Sequence, residues 1–258
     1  MTQPHSLLGI KGYLRSIQDL QTRVIESQLA VLDQVATQMV ATVRQPGRIF
    51  VFGTGHSHML AEEAFYRAGG LAAAVPMFMN DLMLHNNPDL GSRLERTAGL
   101  APILLDFYQA RPGEMLFVYS NSGVNQMPVE MALVARERGL KVVGVSSWAY
   151  ARVAPLSALG KRLDEVVDYA IDNLGLPGDA LVELDGSDWR VGPSSTIIGA
   201  MIWNSLITET IQRMRALGEP LPLYASGNMR GAADHNRALL QRWGAVNPHL
   251  KGWISDDR

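Results

Sequence analysis

Cysteine is absent from the 258 residues. Its absence excludes disulfides, thiolate metal sites and cysteine nucleophiles together, and it fits a reducing compartment, so a cytoplasmic location is expected. Charge of one sign is also lacking: 23 Lys and Arg stand against 25 Asp and Glu, a formal net charge of −2. Such a chain has no basic field to hold nucleic-acid phosphates, and its tryptophans are scattered rather than striped for base stacking, so no nucleic-acid partner is expected. Long apolar runs are missing too. The most apolar stretch, 197–211, is broken by Asn204, Ser205, Thr208 and Glu209, which suits a buried helix and not a membrane span. The first twenty residues carry Lys11, Arg15 and Asp19 without a continuous apolar segment, so neither a signal peptide nor a membrane partner is expected. A charged fraction of 19% and the lack of low-complexity tracts exclude general disorder.

What is present is periodic. Apolar residues at 14, 17, 20, 24, 25, 29, 32, 35, 39 and 43 predict an amphipathic helix ended by Gln45-Pro46-Gly47. Residues 1–45 therefore read as a helical extension that buries its stripe on the domain or on a partner subunit, and 46–258 as one structural unit. Beyond it, strands are predicted at 48–52, 71–76, 115–119, 141–146 and 166–171. Helices are predicted at 57–68, 101–110, 126–138, 193–214 and 231–243, while 80–99 and 174–192 read as loops. Continuous apolar strands alternating with helices predict an α/β fold: a three-layer α-β-α arrangement around a five-stranded parallel sheet.

Ligands in open α/β sheets bind beyond the carboxyl ends of the strands. Three segments near such ends or at a helix start share a composition: Gly53-Thr54-Gly55-His56-Ser57, Ser120-Asn121-Ser122-Gly123-Val124-Asn125, and Ser194-Ser195-Thr196. Each joins small or hydroxyl residues to a helix N-terminus, whose free amides and positive dipole end attract an anion. Taken singly, Gly-x-Gly is a common turn and Ser or Asn a common cap. Taken together, they suit one phosphate ester and its attached polyol. A dinucleotide site fits worse, because His58 stands where the third glycine belongs and no acidic residue ends the second strand. No Gly-Lys-Ser/Thr occurs, which excludes a Walker loop.

The string Gly53-Thr54-Gly55-His56-Ser57-His58, followed by Ala61-Glu62-Glu63-Ala64-Phe65-Tyr66-Arg67-Ala68-Gly69-Gly70 and by Ser120-Asn121-Ser122-Gly123, resembles the sugar isomerase (SIS) domain superfamily. Within it the chain is similar to the UPF0309 branch and related to phosphoheptose isomerase. The resemblance implies a flavodoxin-like fold and a bound sugar phosphate. It implies phosphate on Ser120, Asn121, Ser122 and Asn125, with Asn125 standing where the family usually has Thr. Thr54, His56 and Ser57, with Ser194, Ser195 and Thr196, would meet the sugar hydroxyls, and Gly53, Gly55 and Gly123 of the same loops would also contact the substrate. Aldose–ketose isomerisation needs a base between C1 and C2 and a group that opens the ring. Glu62 is the candidate base, with Glu63 in reserve, and His235 or His56 the candidate ring-opening group. Phosphoheptose isomerases place their Glu about one turn later, near Tyr66 of this chain. The resemblance also implies a homodimer or homotetramer with shared active sites, with His235 near the neighbour's cleft or merely capping its helix. No cofactor is expected. His56 and His58 lack a third clustered ligand, so no metal is expected either. His5 and His249 read as incidental, and His85 as a lid residue or a turn residue. Two alternatives stand beside the isomerase: a non-catalytic phosphosugar sensor acting on a protein partner, and a sugar-phosphate lyase related to the superfamily's etherase.

Overall fold

A computed structural model describes residues 7–251; His5 lies outside the described residues. The first helix, α1 (Leu8–Arg44), is longer than its periodicity suggested. It buries Ile17, Leu20, Val24, Val35, Met39 and Val43, while Leu14, Ile25 and Leu29 of the same stripe stay exposed. The five parallel strands are β1 (Ile49–Gly53), β2 (Ala74–Met77), β3 (Met115–Tyr119), β4 (Lys141–Ser146) and β5 (Tyr169–Asp172), in spatial order β2-β1-β3-β4-β5. The chain leaves β1 toward one edge and returns to its other side as β3, so strand order reverses between β1 and β3. That reversal opens a crevice beyond their carboxyl ends.

Strand side chains alternate between two buried layers, as a period of two requires. Met115, Phe117 and Tyr119 face one layer, with α1, the short α2 (Met59–Ala64) and the long α7 (Ser195–Ala216). There Trp203 packs edge-on against Phe117, with ring centroids 5.2 Å apart. Leu116 and Val118 face the opposite layer, with α4 (Leu100–Phe107) and α5 (Gln126–Glu137). The three-layer α-β-α architecture is thus the one the strand pattern predicts. α8 (Ala232–Trp243) closes the C-terminal side.

Five local expectations change. The helix expected at 57–68 is a 3-10 turn, Gly55–His58, followed by the six residues of α2. Beyond it Phe65 is extended and Tyr66 takes φ +38°, because Gly69 and Gly70 pair with the backbone of Tyr224. The second strand starts three residues late: Leu71 bridges Leu223 and the Ala72 amide bonds the Pro222 carbonyl. Residues 80–99 contain α3 (Pro88–Leu94), whose Asn87 cap accepts the Asp89 and Leu90 amides at 3.0 Å, with Pro88 in the first turn. Residues 174–192 form an antiparallel hairpin, β6 (Ala180–Glu183) and β7 (Arg190–Pro193). A short α6 (Trp148–Val153) follows β4. His249 is not incidental: its Nε2 lies 2.9 Å from the Tyr108 hydroxyl and 3.1 Å from the Pro76 carbonyl.

At the opposite end of the sheet from the crevice, Arg48 and Glu114 precede β1 and β3 and form a buried ion pair, with Nε–Oε1 at 2.5 Å and Nη2–Oε2 at 2.8 Å. The remaining guanidinium hydrogens go to the carbonyls of Tyr108, Gln109 and Val246, so one cation ties β1 to α4 and to the C-terminal segment. Breaking such a pair by removing one charge strands the other in the interior. Glu114→Gln is expected to lower unfolding free energy by about 3–5 kcal/mol, read as a lower urea midpoint with an unchanged slope; an unaltered midpoint would contradict the pair's structural role.

Candidate functional site

The register of the sheet places Gly53 of β1 beside Tyr119 of β3, and Tyr119 beside Val145 of β4. Beyond this row lies a crevice lined by Ser57, Leu60, Tyr119, Ser120, Asn121, Val145, Asn173, Ser195 and Thr196. All three segments singled out in the sequence therefore reach one place. The crevice is narrow, with about 10 Å³ of room, close to the space of one water. No residue lining it carries a charge.

Gly53 makes the first loop possible. A Cβ on it would lie 2.3 Å from the Ser57 carbonyl oxygen, so only glycine lets the chain double back and deliver Ser57 to the crevice. Gly55 and Gly123 take φ of +55° and +62°, left-handed conformations that glycine adopts freely. In the second loop, Ser120 Oγ accepts the Gly123 amide at 3.2 Å. The amides of Ser122, Val124 and Asn125 have no partner among the described residues. They and the N-terminus of α5 form an anion-attracting group. The helix contributes less than its length suggests: the Met127 amide donates to the Glu95 carbonyl at 2.9 Å, and Pro128 has no amide hydrogen.

At the third segment, an internal anion is already in place. Asp179, held at φ +70°, accepts the Ser194 and Ser195 amides at 3.0 and 2.8 Å, and their hydroxyls at 3.0 and 2.7 Å. Both serine hydroxyls are spent on this carboxylate, leaving Thr196 as the segment's free hydroxyl at the crevice. Thr54 behaves alike: it is buried and donates its hydroxyl to Glu95. Glu95 and Asp179 were not among the residues singled out. Neither was Asn173, whose Nδ2 donates to Asn121 Oδ1 at 2.9 Å while its Oδ1 accepts the Gly175 amide. The strand-end rule that selected the other loops also covers Asn173, since it follows β5 directly.

The candidate acid–base groups stand outside the crevice lining. Glu62 is half-exposed on α2, and its Oε1 lies 3.2 Å from Nε2 of the buried His58. His58 Nδ1 bonds the Gly55 carbonyl, which only accepts, so Nδ1 carries a hydrogen and the ring is held with Nε2 toward Glu62, to which Nε2 donates when the ring is an imidazolium. The His85 ring lies 5.9 Å from that of His58. Glu63 is engaged by Arg67 and by Asn204 Nδ2. His56 is exposed at the loop tip. His235 sits on α8 with Nε2 2.7 Å from the Leu223 carbonyl. Among the described residues, no group of three His, Asp or Glu is arranged to hold a metal ion, and no helix is long and apolar enough to cross a membrane.

Burial raises the Asp172 carboxyl above its ordinary range, although the amides of Trp148 and Leu174 pull the other way. Because the folded state holds this proton more tightly than the unfolded chain, ionisation costs stability as pH rises from about 4. Asp172→Asn keeps an acceptor for both amides; its urea midpoint is expected to equal or exceed that of the wild type at pH 7, the gap closing toward pH 4. A midpoint well below wild type at pH 7 would refute this. Gly53→Ala is expected to cost about 1–3 kcal/mol by overpacking against the Ser57 backbone, read by urea denaturation; a silent substitution would contradict the close approach.

The sequence profile described as the SIS domain matches residues 12–147, just over half of the chain. A UPF0309 protein of Brucella canis is 41% identical over 222 residues, covering 86% of this chain and 90% of the relative. A UPF0309 protein of Brucella ovis matches to the same extent. Among solved structures, a phosphoheptose isomerase from Francisella tularensis superposes with a TM-score of 0.55 at 16% identity, covering 82% of this chain and 100% of that one. The sugar isomerase domain of an RpiR transcription factor from Sphaerobacter thermophilus gives 0.50 at 15% identity, covering 83% and 96%. Fold, loop positions and relatives agree: this chain belongs to the SIS domain family, and within it to the UPF0309 proteins.

Proposed function

We propose that this chain binds a phosphorylated sugar at the β1–β3 crevice and interconverts its aldose and ketose forms. The observation that carries this reading is the unpartnered amides of Ser122, Val124 and Asn125 beside the hydroxyls of Ser57, Ser120 and Thr196, at the point where strand order reverses. The phosphate rests on the 120–125 loop, and the polyol extends toward Ser57 and Thr196. Glu62 moves the proton between C1 and C2. His58 orients that carboxylate through the 3.2 Å contact, while His56 or His235 assists ring opening. The apolar row of Leu14, Ile25 and Leu29 left exposed on α1 supports assembly of two or more copies. The fold shared with a phosphoheptose isomerase supports the reaction class. The protein works in the cytoplasm, without a cofactor.

A second reading has its own observation: Glu62 does not line the crevice, which suits a sensor that binds the same ligand without chemistry. Titration calorimetry with four- to seven-carbon sugar phosphates, followed by NMR of C2 proton exchange in deuterated water, separates the two. The isomerase is expected to exchange the C2 proton and form the partner sugar, and Glu62→Gln to retain binding while losing about 10²–10⁴-fold in exchange. Binding without exchange would sink the isomerase and leave the sensor.

A further inference from the structure

Eight buried side-chain polar atoms in the described residues have no hydrogen-bond partner, and the Tyr119 hydroxyl is the one whose residue lines the crevice. Tyr119 is only 3% exposed, and its ring stacks on Phe117 at an interplanar angle of 16°. A buried hydroxyl without a partner forfeits the hydrogen bonds it makes in water, so such groups in native proteins call for an explanation. Several polar neighbours at the crevice are committed elsewhere. Ser195 donates to Asp179, and Asn173 joins Asn121 to Gly175. Burial pushes the phenol well above its ordinary range, so the hydroxyl stays neutral and keeps its hydrogen.

We infer that Tyr119 is a specificity-determining residue, whose hydroxyl takes a hydrogen bond from or to one carbohydrate hydroxyl of the ligand that Ser57, Ser120 and Thr196 also meet. This inference rests on the phosphosugar reading above. Three observations favour a carbohydrate hydroxyl over the phosphate. The anion-attracting amides lie in the loop after Tyr119, and not on its strand. The crevice has room for a group about the size of one water, which is the size of a hydroxyl and not of a phosphate. A neutral phenol also pairs with a hydroxyl without the cost of burying an unpaired charge. The phosphate then sits at the mouth while one hydroxyl of the polyol reaches the floor. A site built to bond one hydroxyl discriminates strongly against sugars that lack it in that place.

Tyr119→Phe tests this, because it removes the oxygen and keeps the ring. Thermal unfolding without ligand and titration calorimetry are run on both proteins with inorganic phosphate, erythrose 4-phosphate, ribose 5-phosphate, fructose 6-phosphate and sedoheptulose 7-phosphate. The variant is expected to unfold no lower than wild type, since it loses an unsatisfied group. It is also expected to bind the best sugar phosphate about tenfold more weakly while binding inorganic phosphate as wild type does. Unchanged affinity for that sugar phosphate would overturn the role of Tyr119 and leave the phosphosugar reading standing. So would an equal loss for inorganic phosphate, or a lower melting temperature without ligand, which would reveal a partner inside the protein. Wild-type protein that binds none of the sugar phosphates would overturn the phosphosugar reading and this inference together.

Discussion

The site depends on the parallel hydrogen-bonded ladder between β1 and β3. Pairing Gly53 with Tyr119 brings two loops, 66 residues apart in the chain, to the same height above the sheet. A slip of one residue would turn Tyr119 into the opposite layer and lift one loop away from the other. At the other end of the same two strands, Arg48 and Glu114 fix the ladder with a buried ion pair whose geometry tolerates little sliding. The apolar faces on either side make the register costly to change: Phe117 must meet Trp203, and Leu116 must meet the α4–α5 layer.

Once the loops meet, the limiting quantity is the supply of hydrogen-bond donors. Two carboxylates of the chain compete for them. Asp179 consumes two amides and two hydroxyls at the start of α7, and Glu95 consumes the Thr54 hydroxyl and, through its carbonyl, the Met127 amide. Helix α7 is the longer of the two site helices, and on length alone its N-terminus would be the natural anion site. Its internal partner takes the Ser194 and Ser195 amides and leaves those of Thr196 and Ile197, so the start of α7 is only partly satisfied. What remains for an external anion is the set of unpartnered amides in the loop before α5, together with those of Thr196 and Ile197.

Much of this was legible in the sequence, and the parts that were not share a cause. Strand periodicity, the small-residue loops at strand ends and the long first helix are local properties, and local pattern finds each of them, with several ends displaced by a few residues. Helix α3 was missed although Asn87-Pro88 is a cap followed by a favoured first-turn residue, a local signal outweighed by the polar character of the segment. The shortening of the helix after the first loop could not be read locally, because it is imposed by backbone pairing with Tyr224, more than 150 residues away. The commitments of Thr54, Ser194 and Ser195 were illegible for the same reason. A hydroxyl in a promising loop looks the same in sequence whether it faces solvent or an internal carboxylate. Tyr119 reads as one more aromatic in a buried strand, and only its missing partner distinguishes it.

The near-neutral composition acquires a physical meaning at this point. No charged residue lines the crevice, so an anion held there is held by amides, hydroxyls and the dipole end of α5. Hydrogen bonds from neutral donors to an ionised acceptor are short and strong without a counter-charge, and they act at contact distance, inside the range over which salt screens. A ring of Lys or Arg would attract any polyanion over many ångströms. Neutral donors act only on a group that fits among them, so selectivity comes from shape and from which hydroxyls find partners. That division of labour suits a small phosphate ester better than an extended polyanion such as nucleic acid, whose binding draws on long-range charge. The balanced sum of 23 basic and 25 acidic residues is thus compatible with anion binding, because the charged groups the structure pairs lie elsewhere, in Arg48–Glu114, Arg213–Asp33 and Arg152–Asp164.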